Sequence, residues 1–272
     1  IKDAEVFVGY NHRGIEKLAT ERNAIQTLVL VERVCGICSH SHAFTYALCV
    51  EELNGMEVPK RGDYIRVITA ELERLHSHFL WLGIACHIIG HDSMFMHIWD
   101  ERELVMDILE ELTGNRVNYA MCTVGGARRD ISDDLRRRIL AACDALKAPL
   151  DRITEIALTD KTIAMRTKGV GVLTREDALR LGAVGPHARA SGVDIDVRRD
   201  APYSASGDFE FDIPVVDSGD VFARVVVRAL ECYESIKILR QALENLPEGP
   251  INLGNKLPKI KEGVTVKRHE AS

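Results

Sequence analysis

The sequence predicts a mainly α protein, a helical bundle carrying a long irregular loop and minor β-structure. Three observations predict it. Apolar residues recur at three- and four-residue spacings through most of the 272 residues, the pattern of helices with one buried face. Caps and glycine stops punctuate those runs at helix-like intervals. One stretch, 183–218, leaves the period and is rich in Gly, Pro, Asp and Arg. A chain of this length that is 46% hydrophobic can bury a sizeable core, and the reading is a single domain, 1–272.

The first helix is predicted over about 13–32, where Ile15, Leu18, Ala19, Ile25, Leu28 and Val29 share a face. Ser39 is placed to cap the next, which runs to about Leu53 and ends before Asn54-Gly55. Pro59 suits the start of a long helix, whose stripe is Ile65, Ile68, Leu72, Leu75, Phe79 and Leu82. His91-Asp92-Ser93 reads as a break and a new cap, and Gly114 as the stop of the helix that follows. A loop spans Thr123–Ala127. Ser132-Asp133-Asp134 caps a helix that reaches Lys147 and, if it passes Pro149, Met165. Thr174 and Asp177 resemble a capping box, closed by Gly182. A short strand is expected over 209–216, a last long helix over 218–246, and a small hairpin over 259–267 around Glu262-Gly263.

Composition excludes several classes. The formal charge of −6 gives a mildly acidic surface, without the basic face of a nucleic-acid binder. Arg136-Arg137-Arg138 is too short for that role and reads as the solvated side of a helix. No run of about 18 apolar residues exists. The longest, 79–89, contains His87, so no transmembrane segment is expected within the chain, although docking on a membrane partner is compatible with it. The seven cysteines include one close pair, and a disulfide framework is not expected at this length. Cys49, Cys86, Cys122, Cys143 and Cys232 lie in apolar contexts and read as small buried hydrophobes.

Cys35 and Cys38 form the pair, three positions apart across Gly36, with His40 and His42 close behind. Two sulfurs at this spacing can converge on one ion, and Gly36 is expected to allow the tight turn. Thiolates are soft donors that select nickel, iron, zinc or copper. Spacing alone leaves four readings open. These are half a zinc site with His42 as third ligand, a redox dithiol without the usual thioredoxin surroundings, a catalytic transition metal, and an inert buried pair. Glu73-x-x-His76 has the spacing of carboxylate-bridged di-iron bundles, but no second such pair accompanies it. Ordinary hydrogen bonding is the expected role of His76, His87, His91 and His97. Gly125-Gly126 lacks the Gly-Lys-Ser/Thr ending of a phosphate loop.

The run from Arg33 to His42 resembles the first cysteine motif of nickel-iron hydrogenase large subunits, Arg-x-Cys-Gly-x-Cys-x-x-x-His. Residues 11–17 are similar to those of the energy-converting, membrane-bound hydrogenases, which are relatives of the quinone-site peripheral subunit of respiratory complex I. Further matches lie at 64–67, 71–78, 101–103, 124–127, 185–192 and 194–203, so the resemblance covers nearly the whole chain. It implies an oxidoreductase that interconverts dihydrogen with protons and electrons, coupled to a membrane ion-pumping complex. It implies that Cys35 is a terminal thiolate on nickel and that Cys38 bridges nickel and iron. His42 would donate a hydrogen bond toward the bridging sulfur and tune it. Glu16, nineteen residues before Cys35, would bind magnesium or a similar hard cation.

The same resemblance implies partners: an iron-sulfur small subunit, membrane antiporter-like subunits and a ferredoxin-type electron donor. It implies a cytoplasmic position, peripheral on the inner face of the cell membrane. The family's second cysteine pair, in Asp-Pro-Cys-x-x-Cys, is absent from these residues. The Ni-Fe centre is therefore expected to be incomplete here, and the chain to be a fragment truncated at both ends and inactive alone. Two alternatives stand beside this reading: a complex I-like quinone oxidoreductase peripheral subunit, and a non-catalytic zinc-binding helical scaffold.

Overall fold

The computed structural model describes residues 2–254 and 260–271. Helices dominate, as predicted. The first region holds two helices rather than one, α1 (Ile15–Ala19) and α2 (Ala24–Val31). The break follows from a capping box: Gln26 N–H donates to Asn23 Oδ1 at 3.0 Å, and Asn23 N–H donates to Gln26 Oε1 at 3.2 Å. A 3₁₀ turn over Glu32–Val34 leads into the cysteine loop.

Helix α3 (Ser39–Asn54) starts at the expected place, but Cys38 occupies the cap position. Ser39 is no cap, because its hydroxyl donates to the Val117 carbonyl at 2.5 Å. Gly55, at φ 66°, closes α3 in the left-handed conformation that glycine tolerates. Helix α4 (Lys60–Ile88) follows Pro59 directly. Helix α5 (Asp92–Thr113) is capped by His91 and stopped by Gly114. The expected loop at 123–127 is a minimal antiparallel hairpin, β1 (Cys122–Thr123) and β2 (Gly126–Ala127). Helix α6 (Asp133–Thr159) carries Pro149 inside it, and Asp160 ends it and caps α7 (Lys161–Thr167). Short helices α8 (Arg175–Arg180), α9 (Gly185–Arg189) and α10 (Val197–Asp200) punctuate the next stretch. Helix α11 (Val221–Glu244) is capped by Asp220.

Two β expectations fail. Residues 209–216 form no strand, because their backbone groups meet side chains of α11. Glu210 N–H donates to Gln241 Oε1 at 2.9 Å, and Asp212 N–H donates to Glu234 Oε2 at 2.8 Å. In the expected hairpin, Lys259 lies outside the described residues and 260–267 contain no strand. That segment is tied to the end of α3 instead, through Lys261 N–H on Asn54 at 3.2 Å and Lys267 on Glu52 at 2.7 Å.

Helix α4 is the centre of the bundle, packed against α5 and α11, with α6 bridging those two. Its predicted stripe, Ile65 to Leu82, is buried in the main core. A smaller cluster containing Leu28, Phe44, Leu48 and Ala70 seats α2 and α3 on its other side. The polar side of α4 is therefore buried too: Arg66, Glu71, Glu73, Arg74, His76 and His78 are each at most 1% exposed. Such groups persist inside a protein only when partnered. Arg66 donates to Glu51 and to the Gly126 carbonyl, and Glu71 lies between Arg74 at 3.1 Å and Arg198 at 3.0 Å. Where the chain near Ile251 crosses α4 and β2, only glycine fits, since a Cβ on Gly62 or Gly126 would lie 2.2 Å from the Ile251 carbonyl oxygen. No described helix is long and apolar enough to cross a membrane.

Candidate metal centre

The cysteine loop joins the 3₁₀ turn to α3. Cys35 and Cys38 are both half-buried, whereas Cys86, Cys122, Cys143 and Cys232 are buried. Cys49, expected to be buried with that second group, is half-buried on α3. The loop is a knuckle around one sulfur: the N–H groups of Ile37 and Cys38 both donate to Cys35 Sγ at 3.3 Å. Donors aimed at a sulfur suit one that carries negative charge. The Cys38 thiol is pushed well up, first by burial and then by the adjacent Cys35 sulfur.

Gly36 does not have the role expected from the sequence. It is absent from the glycines with positive φ, and a Cβ there would make only an ordinary 3.6 Å contact with Val117. The turn is held by hydrogen bonds instead. Arg13 donates to the Val34 carbonyl at 3.0 Å, and Glu32, buried, accepts the Ala120 N–H at 2.5 Å.

His42 lies one helical turn beyond Cys38, and its N–H donates to the Cys38 carbonyl at 3.3 Å. Its ring is half-buried, and that burial lowers its pKa. Glu16 lies elsewhere on the surface: its side chain is 83% exposed on α1 and pairs with His12 at 3.5 Å. Among the described residues, no three His, Cys, Asp or Glu side chains converge as a ligand set. Cys35 and Cys38 are brought together; His42 stands near, and Glu16 stands apart. The three-ligand zinc arrangement of Cys35, Cys38 and His42 is not assembled.

Other residues that surround the loop give little sign of it in the sequence. His40 is fully buried with Nε2 on the Arg66 carbonyl at 2.9 Å, and burial lowers its pKa to about 3. Glu73 and His76 have the spacing of a di-iron pair; both instead contact the backbone on either side of Cys38. Tyr119 stacks edge-on against His76 at 6.3 Å, its hydroxyl buried without a partner.

Comparison with known proteins divides the chain at the end of α4. The nickel-dependent hydrogenase family matches residues 13–83, which include the cysteine loop. The 49 kDa subunit family of respiratory-chain NADH dehydrogenase matches residues 89–271. The carbon monoxide-induced hydrogenase of Rhodospirillum rubrum is 40% identical over the whole chain, which covers 75% of that protein. The membrane-bound hydrogenase subunit alpha of Pyrococcus furiosus is 42% identical, again over the whole chain, with 67% of that protein covered. An NADH-quinone oxidoreductase subunit from Dehalococcoides mccartyi is 39% identical over 96% of the chain and 71% of its own length. Among solved structures, a chain of the membrane-bound sulfane sulfur reductase, an archaeal respiratory membrane complex, superposes with a TM-score of 0.86 at 33% identity. That match covers 91% of this chain and 67% of the other.

Proposed function

The chain belongs to the family shared by membrane-bound hydrogenase large subunits and the 49 kDa-type subunits of respiratory NADH dehydrogenases, and from that premise we propose that it is part of a hydrogenase catalytic subunit. The reaction is the reversible interconversion of dihydrogen with protons and electrons. The subunit works in a membrane-bound assembly with an iron-sulfur small subunit, antiporter-like membrane subunits and a ferredoxin-type donor, peripheral on the cytoplasmic face. One observation carries the reading: two half-buried sulfurs, Cys35 and Cys38, share a knuckle in which backbone donors already point at one of them.

The donor set fits a nickel-iron group in kind, because soft sulfur is what such metals select. Cys35 and Cys38 would hold it from this side, with two further thiolates needed to complete the set. When bound, the group supplies the Lewis acidity and electron-rich sulfur on which heterolytic cleavage of dihydrogen depends. The chain's own contributions are distinct. Cys38 keeps its proton until a cation displaces it, since burial raises its pKa. His42, kept neutral by burial, can donate toward sulfur from one turn away. Glu16 is open to solvent and would bind a hard cation only together with ligands from outside the described residues. The 272 residues alone should not turn over dihydrogen.

A second reading has its own support, since the NADH dehydrogenase match spans most of the chain after α4: a quinone-linked subunit in which no nickel is held. Metal analysis of the full-length subunit, purified in its complex, separates the readings. Nickel and iron that are both lost in Cys35→Ser, together with dihydrogen-dependent electron transfer, support the hydrogenase. Quinone reduction without nickel supports the second reading, and one retained zinc supports a scaffold.

A further inference from the structure

Helix α3 lacks a side-chain cap of its own. The first four N–H groups of a helix need acceptors from outside it, and Ser, Thr, Asp or Asn is the usual residue at the position that Cys38 occupies. Here the capping group comes from α4. Glu73 Oε1 accepts the His40 N–H at 2.6 Å, while Oε2 accepts the Ser41 N–H at 3.1 Å and the Ser41 hydroxyl at 2.6 Å. A carboxylate at this end also answers the helix dipole. One turn along the same face of α4, His76 reaches the other side of the cysteine, its Nε2 lying 2.9 Å from the Ile37 carbonyl oxygen. Arg102 donates to His76 Nδ1 at 3.1 Å and to the His76 carbonyl at 3.2 Å. Nδ1 is thereby the acceptor, and Nε2 carries the hydrogen given to Ile37.

The backbone is thus gripped at residue 37 before Cys38 and at residues 40 and 41 after it, by side chains that are each 1% exposed. Because the knuckle ties Cys35 Sγ to the N–H groups of Ile37 and Cys38, holding residues 37–41 also holds Cys35. We propose that Glu73 and His76 are positioning residues, a two-armed clamp from α4 that fixes the separation of the Cys35 and Cys38 sulfurs and so their capacity to share a metal. The inference rests on the metal reading above for its purpose, but not for its geometry. Moving the cap to a neighbouring helix leaves position 38 free to carry a thiol and still satisfies the helix end.

The test uses the full-length subunit and two measurements. Subunit made in nickel-free medium is treated with iodoacetamide, and alkylation of Cys38 is followed by mass spectrometry against Cys49 as internal reference. Subunit made with nickel present is analysed for bound metal. Glu73→Gln keeps one oxygen acceptor but sets an amide donor against one of the two backbone N–H groups, and His76→Phe keeps the ring shape without the N–H. Both should accelerate Cys38 alkylation several-fold over Cys49 and weaken nickel retention by about 10- to 100-fold, the range for lost support of a metal ligand. His76→Gln, which can still donate to Ile37, should stay close to wild type. Ser41→Ala removes one of the three contacts to Glu73 and should give a smaller change in the same direction. Should Glu73→Gln fail to fold, Ser41→Ala and the two His76 variants decide the matter. Unchanged alkylation in variants with wild-type circular dichroism overturns the clamp, whatever the nickel content. A wild type that binds no nickel, yet shows variant-sensitive alkylation, overturns the metal reading and leaves the clamp standing.

Discussion

Cys38 and Cys232 both lie beside α4, in opposite surroundings. Around Cys38, the polar side chains of α4 reach for the backbone of another segment, and the thiols themselves are left half-buried. Around Cys232, on α11, they meet other charged side chains. His78 lies 2.6 Å from Glu231, Glu231 is 2.6 Å from Arg189, and Arg189 is 2.8 Å from Glu270. Nearby, Asp196 pairs with Arg198 at 2.7 Å, and Arg198 with Glu71 at 3.0 Å. In this interior layer the charged side chains pair with one another, with Arg189 Nη2 alone of that guanidinium left without a partner, which holds the tertiary arrangement but leaves little free for chemistry. In the loop the hydrogen bonds go to main chain, so the shape is fixed while the sulfurs stay available.

The largest expected effect separates the two regions by stability. Glu231→Ala removes the buried carboxylate shared by His78 and Arg189, leaving Arg189 with Glu270 and Asp196, and should cost about 3–5 kcal/mol, read from urea or guanidinium midpoints. Cys35→Ser and Cys38→Ser should remove metal at a far smaller cost in stability. A loop substitution as costly as Glu231→Ala would break the comparison.

Acid should act on the regions with opposite sign. Burial lowers the pKa of His78 to about 4 in the fold from an ordinary 6.5. Between those values the unfolded chain holds more protons, so falling pH favours unfolding. Burial raises Glu73 to about 7 from an ordinary 4.5. There the folded chain holds the extra proton, so falling pH favours folding, and the benefit disappears as pH rises through 7. From pH 7 to 5 each effect amounts to roughly 2 kcal/mol. His78→Gln should therefore flatten the acid loss of stability, and Glu73→Gln should steepen it. Denaturation midpoints at the two pH values measure both, and equal slopes for the two variants would contradict the assignment.

The smallest effects probe packing. Cys232→Ser puts a more polar hydroxyl in place of a thiol in the core and should cost roughly 1–3 kcal/mol, against less than about 1 kcal/mol for the same change at half-buried Cys38. Gly36→Ala should be similarly mild, because a methyl group there only touches Val117 at 3.6 Å. Thermal midpoints order these variants.

The helices and their ends are largely legible in the sequence because their causes are local. Pro59, Gly55 and Gly114 act within a few residues of themselves, and the Ile65 to Leu82 stripe reports one buried face. The Asn23–Gln26 capping box is equally local, yet the apolar period running through it hides the break. The strand expected at 209–216 fails for a nonlocal reason, since Gln241 and Glu234 on α11 take its backbone partners. The cysteine pair is also legible, since a three-residue spacing shows itself in sequence. Its supports are not: Glu73 and His76 have a visible spacing whose meaning depends on what α4 faces.

The sequence by itself determined which segments are helical, where most of them stop, and that two thiols sit within one turn of each other, because propensity, capping and spacing act over a few residues. Only the tertiary structure decided that the polar side of α4 is buried as deeply as its apolar stripe, and that Glu73 reaches α3 across 33 positions of chain. The physical reason is that a buried carboxylate or imidazole must find a partner, and which partner it finds is settled by how the helices pack.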